Sequence, residues 1–373
     1  MKTHGLSLAF LALSVAAFAA EPTPPQQKEG SPLDNLPPYI TRLTHFGERA
    51  DFSHDGKRVL FLEKTFGDVY EYDRDTKIIR PMTHHYFHHG YVRALYLANG
   101  DLLLSGAREF DPANPWRSRH DIAELWVVKK DLSGPAVPLG EKCSEGPAVS
   151  RKNMKIAWTL DHGDHPDRMP KGVSQMWQGD IVYENGAPRL VNKQLILDSR
   201  DLSFQCGLEV QNFRPPDEKD LIFSAYGYQG TEVMGVGIGT KNVTNYSKSP
   251  SYQEPEGIFP DGQWTLMECD NHNPKGSQHI DVYRLRLDGS AQAERITHFN
   301  DYQGYKASNP VVSDDGRFIA FQYARVGDIA GVGHGILLLD LAAMKSGETA
   351  ARVDEPELAA RRVIGNLGTS RGK

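Results

Sequence analysis

Apolar and polar positions alternate along most of this chain in short runs, each broken by a turn, and one layout of them repeats. It is plainest at residues 254–289. There Ile258 and Phe259, the Pro260-Asp261-Gly262 turn and the apolar run from Trp264 predict two short antiparallel strands, with glycine supplying the positive φ of a tight connection. A third strand, HIDVYRLRL, follows, and its Tyr283, Leu285 and Leu287 share one face at period two. The same strand-turn-strand unit recurs at residues 50–62 (ADFSHDGKRVLFL), 92–105, 147–159, 208–224 and 310–321 (PVVSDDGRFIAF). Each unit precedes a third strand, and several precede a fourth, such as ERITHF near Glu294.

Six such units, spaced at roughly 40 to 60 residues, predict an all-β ring of four-stranded blades, a single β-propeller. Seven blades is the other count, because the long third and fourth units have room for extra strands. The last unit lacks an outer strand after Asp340, whereas ITRLTHF at residues 40–46 matches ERITHF. The N-terminal strand is therefore expected to complete the last blade and remove an open sheet edge. Few stretches carry a 3.6-residue period, and the 35 glycines and 23 prolines suit strands and turns.

The ends of the chain read differently. Residues 1–19 have the form of an export signal: Lys2 is the basic start, an apolar stretch follows, and Ala17-Phe18-Ala19 is the cleavage pattern. That stretch is too short to span a bilayer. Residues 20–38 are expected as a flexible linker, 39–350 as the propeller and 351–373 as a charged tail. The mature chain is then expected to be a periplasmic or secreted monomer with no transmembrane segment. In that compartment Cys143 and Cys206, in equivalent loops of neighbouring units, are the expected disulfide, and Cys269 a buried thiol. The formal net charge of −6 argues against a nucleic-acid partner.

The F-S-H-D-G-K, F-P-D-G-Q and V-S-D-D-G-R turns, each followed by an apolar strand, resemble the propeller repeat of TolB, the periplasmic component of the Tol system related to WD-type repeats. This resemblance spans nearly all of the chain beyond the linker. It implies a non-catalytic propeller that binds a protein or an envelope glycan.

The histidines point towards chemistry. In a four-stranded blade, the loop between strands two and three and the loop into the next blade share one face of the ring, and the Asp-Gly turns lie on the other. Of the 14 histidines, His84, His85, His88 and His89 fall in the first interblade loop. His120, His162, His165, His272, His279 and His334 fall in or beside two-to-three loops. Cations accompany them, including Arg117, Arg119, Arg168 and Lys275. Three chemistries fit this face. A divalent ion, Mn, Ca or Zn, would find donors in His272, Gln278 and His279, or in His162 and His165. A cradle for an anionic glycan would use Arg117, Arg119, His120, Arg168, Lys275 and His334. A lyase combines the two, with His162, His165, His272 or His279 moving the proton in a β-elimination. The blade repeat and histidine-bearing loops are similar to those of oligogalacturonate lyases, and that similarity implies metal-assisted elimination on an anionic polysaccharide.

Two further readings stand beside it. Glu145, Glu209, Glu254 and Glu256 sit at or near the starts of inner strands, where they would face the channel. Glu209 and Glu256 are thus candidates for glycoside hydrolysis. The arginines have a purely structural alternative as well, since Arg117 and Arg119 can hold their own loop through Asp111 or Asp121.

Overall fold

The computed structural model describes residues 26–329 and 331–346. The export-signal segment and the 351–373 tail lie outside them. Twenty-four strands form six four-stranded antiparallel sheets, which settles the blade count at six. The innermost strands are Glu48–Phe52, Arg93–Tyr96, Ala148–Val149, Gly207–Phe213, Gln253–Ile258 and Tyr305–Val312. The third unit adds length rather than strands, because Ser174–Glu184 and Ala187–Asp198 form one long hairpin.

Closure is as the repeat predicts. Ile40–Arg42 pairs antiparallel with Ile336–Asp340, Ile40 opposite Leu339 and Arg42 opposite Leu337, so the first strand is the outer edge of the sixth blade. Residues 26–38 are not a free linker. Gln27 Nε2 donates to Asn300 O and the Lys28 amide to Asp301 O, while Leu33 and Leu36 pack on the apolar cluster of the last two blades. Those leucines bury apolar area that a polar linker would not have.

The core is divided. Six apolar clusters lie one in each interface between neighbouring blades, for example Leu97, Leu103, Trp158 and Ile181 between the second and third. This arrangement overturns the expected disulfide. Cys143 sits between blades two and three, Cys206 between blades three and four, and the sheet of blade three separates them. All three cysteines are free and buried.

One irregularity positions the site. In the inner strands of blades one, four, five and six the register with the second strand slips once, at Arg49–Ala50, Gln211, Glu256–Gly257 and Asn309–Pro310. Such bulges re-aim side chains. Arg49 (φ 53°) and Asn309 (φ 46°) sit in the left-handed region at these bulges, and their side chains, with that of Glu256, line the ring axis. The Asp-Gly turns lie at the far ends of the same strands. Gly262 (φ 66°) packs so closely that a Cβ would stand 1.8 Å from Pro215 O.

Closure by the N-terminal strand makes a direct prediction. Deleting residues 39–43 exposes the backbone edge of Ile336–Asp340. The truncated protein should melt at lower temperature and self-associate in size-exclusion chromatography, whereas the full chain should not.

Candidate functional site

A polar chamber of about 210 Å³ occupies the axis on the histidine-bearing face. Its carboxylates are Glu145, Glu209, Glu254, Glu256, Glu268 and Asp328, and its cations are Arg49, Arg93, Arg119 and Lys306. Glu145, Glu209 and Glu254 come from blades three, four and five, because each inner strand starts at this end of the axis; Glu256 sits at the bulge of the fifth inner strand and Glu268 on the second strand of that blade. Oxygens of Glu254, Glu256 and Glu268 lie within 4.8 Å of one another.

The carboxylates differ sharply in what surrounds them. Glu145 accepts two hydrogen bonds from Arg119, at 3.1 and 3.0 Å, and lies 3.5 Å from Arg49. Burial alone would raise its pKa, but the two guanidiniums pull it down to about 2. Glu209 has no such cation. Burial, then the charges of Glu254 and Glu145, push its carboxyl well above the usual range. Burial and Glu256 likewise push Glu254 up to about 7, although the Tyr226 and Tyr252 hydroxyls donate to its two oxygens. Glu268 is raised by burial and by Glu254. Arg49 also feels the charges of Glu48, Glu256 and Glu209, so several carboxylates balance the two arginines, and Arg49 Nε is buried without a hydrogen-bond partner.

A cleft of about 550 Å³ shares Glu145, Glu209 and Tyr226 with the chamber and opens beside it. Its outer wall is built by the loop of the second blade. Asn114 caps the short helix Pro115–Arg119, whose Pro115 suits a first turn. That helix sends Arg119 inward to Glu145 and ends at His120. The His120 ring stacks on Trp116 with centroids 3.7 Å apart, and Trp116 itself is 65% exposed. His120 is only 7% exposed, and burial lowers its pKa. Its Nε2 lies 3.3 Å from Glu145 Oε1 but without hydrogen-bonding geometry, so the atom has no hydrogen-bond partner. Across the cleft stands His162, with Nδ1 2.6 Å from Met169 O.

The sequence candidates therefore separate. Arg119, His120 and His162 are brought together at the cleft and chamber, and Gln278 lines the chamber, accepting from the Gly327 amide at 3.1 Å. The other candidates are placed elsewhere. His272 is anchored between blades: its ring nitrogens stand 3.1 Å from Tyr283 Oη and 3.2 Å from Asn300 Oδ1, and burial lowers its pKa to about 4. His279 lies outside both cavities, so His272, Gln278 and His279 do not converge on one point. His165 shares the loop of His162 but does not line the cleft. His334 bonds Asp328 at 2.6 Å, Arg117 pairs with Asp111 at 3.3 Å, and Arg168 and Lys275 are exposed. In the HHYFHH segment, His84 and His88 pair with Asp68.

Four carboxylates of the chamber were readable at the starts of inner strands. Glu268, Tyr226 and Tyr252 were not, since nothing in their local pattern marks them as axial. As a donor set, Glu254, Glu256 and Glu268 fit a divalent cation. They supply hard oxygens at close range, and Ser308, also lining the chamber, is 5% exposed with no hydrogen bond to its hydroxyl among the described residues. Such oxygens suit Ca²⁺ or Mn²⁺ better than Zn²⁺.

No protein-family profile matches this chain, and no curated protein matches it. Solved structures do. A gluconolactonase from Xanthomonas campestris superposes with a TM-score of 0.51 at 14% identity, over 85% of this chain and 94% of that one. Oligogalacturonate lyase from Vibrio parahaemolyticus gives 0.47 at 13% identity, over 79% and 80%. TolB from Acinetobacter baumannii gives 0.44 at 15%, over 77% and 67%. At these identities what is shared is the fold, and this chain is a six-bladed β-propeller. No helix among the described residues is long and apolar enough to cross a membrane.

Two outcomes follow from the electrostatics. Glu254 titrates at about 7 when folded, against an ordinary value of 4.5. Between these values the native state holds a proton that the unfolded chain has lost, so this stability is full below about pH 4.5 and fades as pH rises through about 7. Without divalent cations the melting temperature should fall from about pH 5 to about pH 8, and Glu254→Gln should flatten that slope. His272→Ala should cost about 1–3 kcal/mol in denaturant unfolding through the buried groups it leaves unpaired, with ligand binding at the cleft unchanged.

Proposed function

We propose that the protein is an exported enzyme that cleaves an anionic polysaccharide or oligosaccharide by β-elimination. One observation carries this reading. A histidine whose pKa burial lowers, His120, and a carboxyl that burial pushes well above the usual range, Glu209, line the same cleft as Glu145, the partner of Arg119 and Arg49. Paired groups whose environments push their pKa values apart are the mark of acid and base roles.

Each role follows from its surroundings. A uronate residue entering from the cleft would lay its ring on exposed Trp116. Its carboxylate would compete with Glu145 for the guanidiniums of Arg119 and Arg49, and that pairing acidifies the adjacent carbon. The His120 ring, its sealed Nε2 turned to Glu145, would accept the proton from that carbon through Nδ1. The bond to the glycosidic oxygen breaks as the ring double bond forms, and Glu209 gives its proton to the departing oxygen. Tyr226, hydrogen-bonded to Glu209 at 2.7 Å, holds that carboxyl in place. His162 faces the same space and would bind sugar hydroxyls. A divalent cation held by Glu254, Glu256 and Glu268 would supply further positive charge for the substrate carboxylate. The signal-like segment at residues 1–19 agrees with a substrate outside the cytoplasm.

The test is ultraviolet absorbance of unsaturated uronates on a panel of pectic, alginate and ulvan oligosaccharides, with and without Mn²⁺ or Ca²⁺. Wild-type protein should produce the signal. His120→Ala and Glu209→Gln should each lower kcat by about 10²–10⁴-fold while melting like wild type. Activity should fall in acid as His120 protonates, below the usual histidine range, and in base as Glu209 ionises, above the usual carboxylate range. Absence of product on every substrate would sink the enzyme reading. Oligosaccharide binding without turnover would point instead to a non-catalytic, glycan-binding propeller.

A further inference from the structure

On the side of the Asp-Gly turns, the inner strands end around a second cavity of about 250 Å³ that takes no part in the chemistry above. Its wall is largely apolar. Leu95, Val149, Phe213, Ile258, Val311 and Val312 reach it from five different blades. Its floor is the ion pair of Arg93 with Glu256, 3.2 Å apart, and both residues also line the central chamber. The pair therefore stands between the two cavities.

Two amides stand unpaired in this wall. Gln211 is 8% exposed, and its side chain makes no hydrogen bond among the described residues. The bulge in its strand is what places it there. Beside it, Asn212 Oδ1 is buried and also has no partner. A folded chain satisfies nearly all its buried polar groups; Asn212 Oδ1 is sealed from the cavity, so the open, unpaired Gln211 amide is the group that suits a ligand arriving from outside.

The charges at the rim are already engaged. Arg151 bonds Asp314 at 2.7 Å and lies 3.5 Å from Asp51, Lys152 bonds Pro216 O, and Glu218 accepts from Ser150 Oγ at 2.5 Å. The lining sets Asp51, Glu218, Glu256 and Asp314 against Arg93, Arg151 and Lys152, so no positive charge is left over to select an anion. The volume fits a ring with a polar substituent, since an apolar cavity of about 150 Å³ takes benzene alone.

We infer that this cavity is a second ligand site, for a small neutral molecule with an apolar ring and one amide-like end. The ring fills the space between Leu95, Phe213 and Val312. The polar end exchanges hydrogen bonds with the Gln211 amide. This site is independent of the elimination reaction, so either reading can fail without the other.

Benzamide is the probe, with toluene and benzoate as comparisons, followed by saturation-transfer NMR and calorimetry on the full chain. Wild-type protein should bind benzamide at least tenfold more tightly than benzoate. Leu95→Trp and Val312→Trp fill the cavity, and whichever of them melts like wild type should lose benzamide binding at least tenfold. Gln211→Leu should weaken benzamide about tenfold and leave toluene unchanged. The proposal is overturned if wild-type protein shows no benzamide binding up to the probe's solubility limit. Retention of binding in the folded filling variants, or an unchanged benzamide preference in Gln211→Leu, overturns it equally.

Discussion

Five glutamates share one small, largely buried chamber on the ring axis, and most of what is distinctive about this protein follows from that crowding. Like charges in a desolvated space cannot all ionise. The chain resolves the conflict unevenly. It gives two arginines to Glu145 and hydroxyl donors to Glu254, and it leaves Glu209 and Glu268 to be held protonated. A carboxyl with a raised pKa, an ionised carboxylate and a trio of closely spaced oxygens thus arise from one residue type. The neighbours on adjacent blades make the difference.

The fold creates the crowding. Each blade delivers the start of its inner strand to the axis, and bulges in four of the six turn additional side chains inward. Stability is held elsewhere, in apolar clusters between blades, so the axis is free to carry polar groups that no core would tolerate. The Arg93–Glu256 pair then divides the axis into a charged chamber on one side and a mostly apolar cavity on the other.

The architecture was legible because it is local and repeated: an Asp-Gly turn between apolar runs is visible in blades one, five and six, and the similarity of residues 40–46 to ERITHF marked the closure. The site was legible only in part. Sequence placed the histidines on one face, but a face is wide. His120 and His162 reach the cleft, whereas His272 is spent on Tyr283 and Asn300, and His88 on Asp68. Which way a loop side chain turns depends on partners distant in sequence. The carboxylates at strand starts were recognisable, since position along an inner strand fixes distance from the axis. Glu268 reaches the same chamber from a second strand, and Tyr226 and Tyr252 from strand ends, and period-two reasoning gives no signal for that. Cys143 and Cys206 show the same limit, because equivalent positions in neighbouring blades face different interfaces.

The carboxylates on the axis, and not the loops of His272 and His279, are where a divalent cation would bind. Anomalous scattering at the manganese edge, from crystals grown with Mn²⁺, tests this most directly. A strong peak among the carboxylates of Glu254, Glu256 and Glu268 is the predicted result. A peak at His272 or His279, or none in the chamber, would contradict the account.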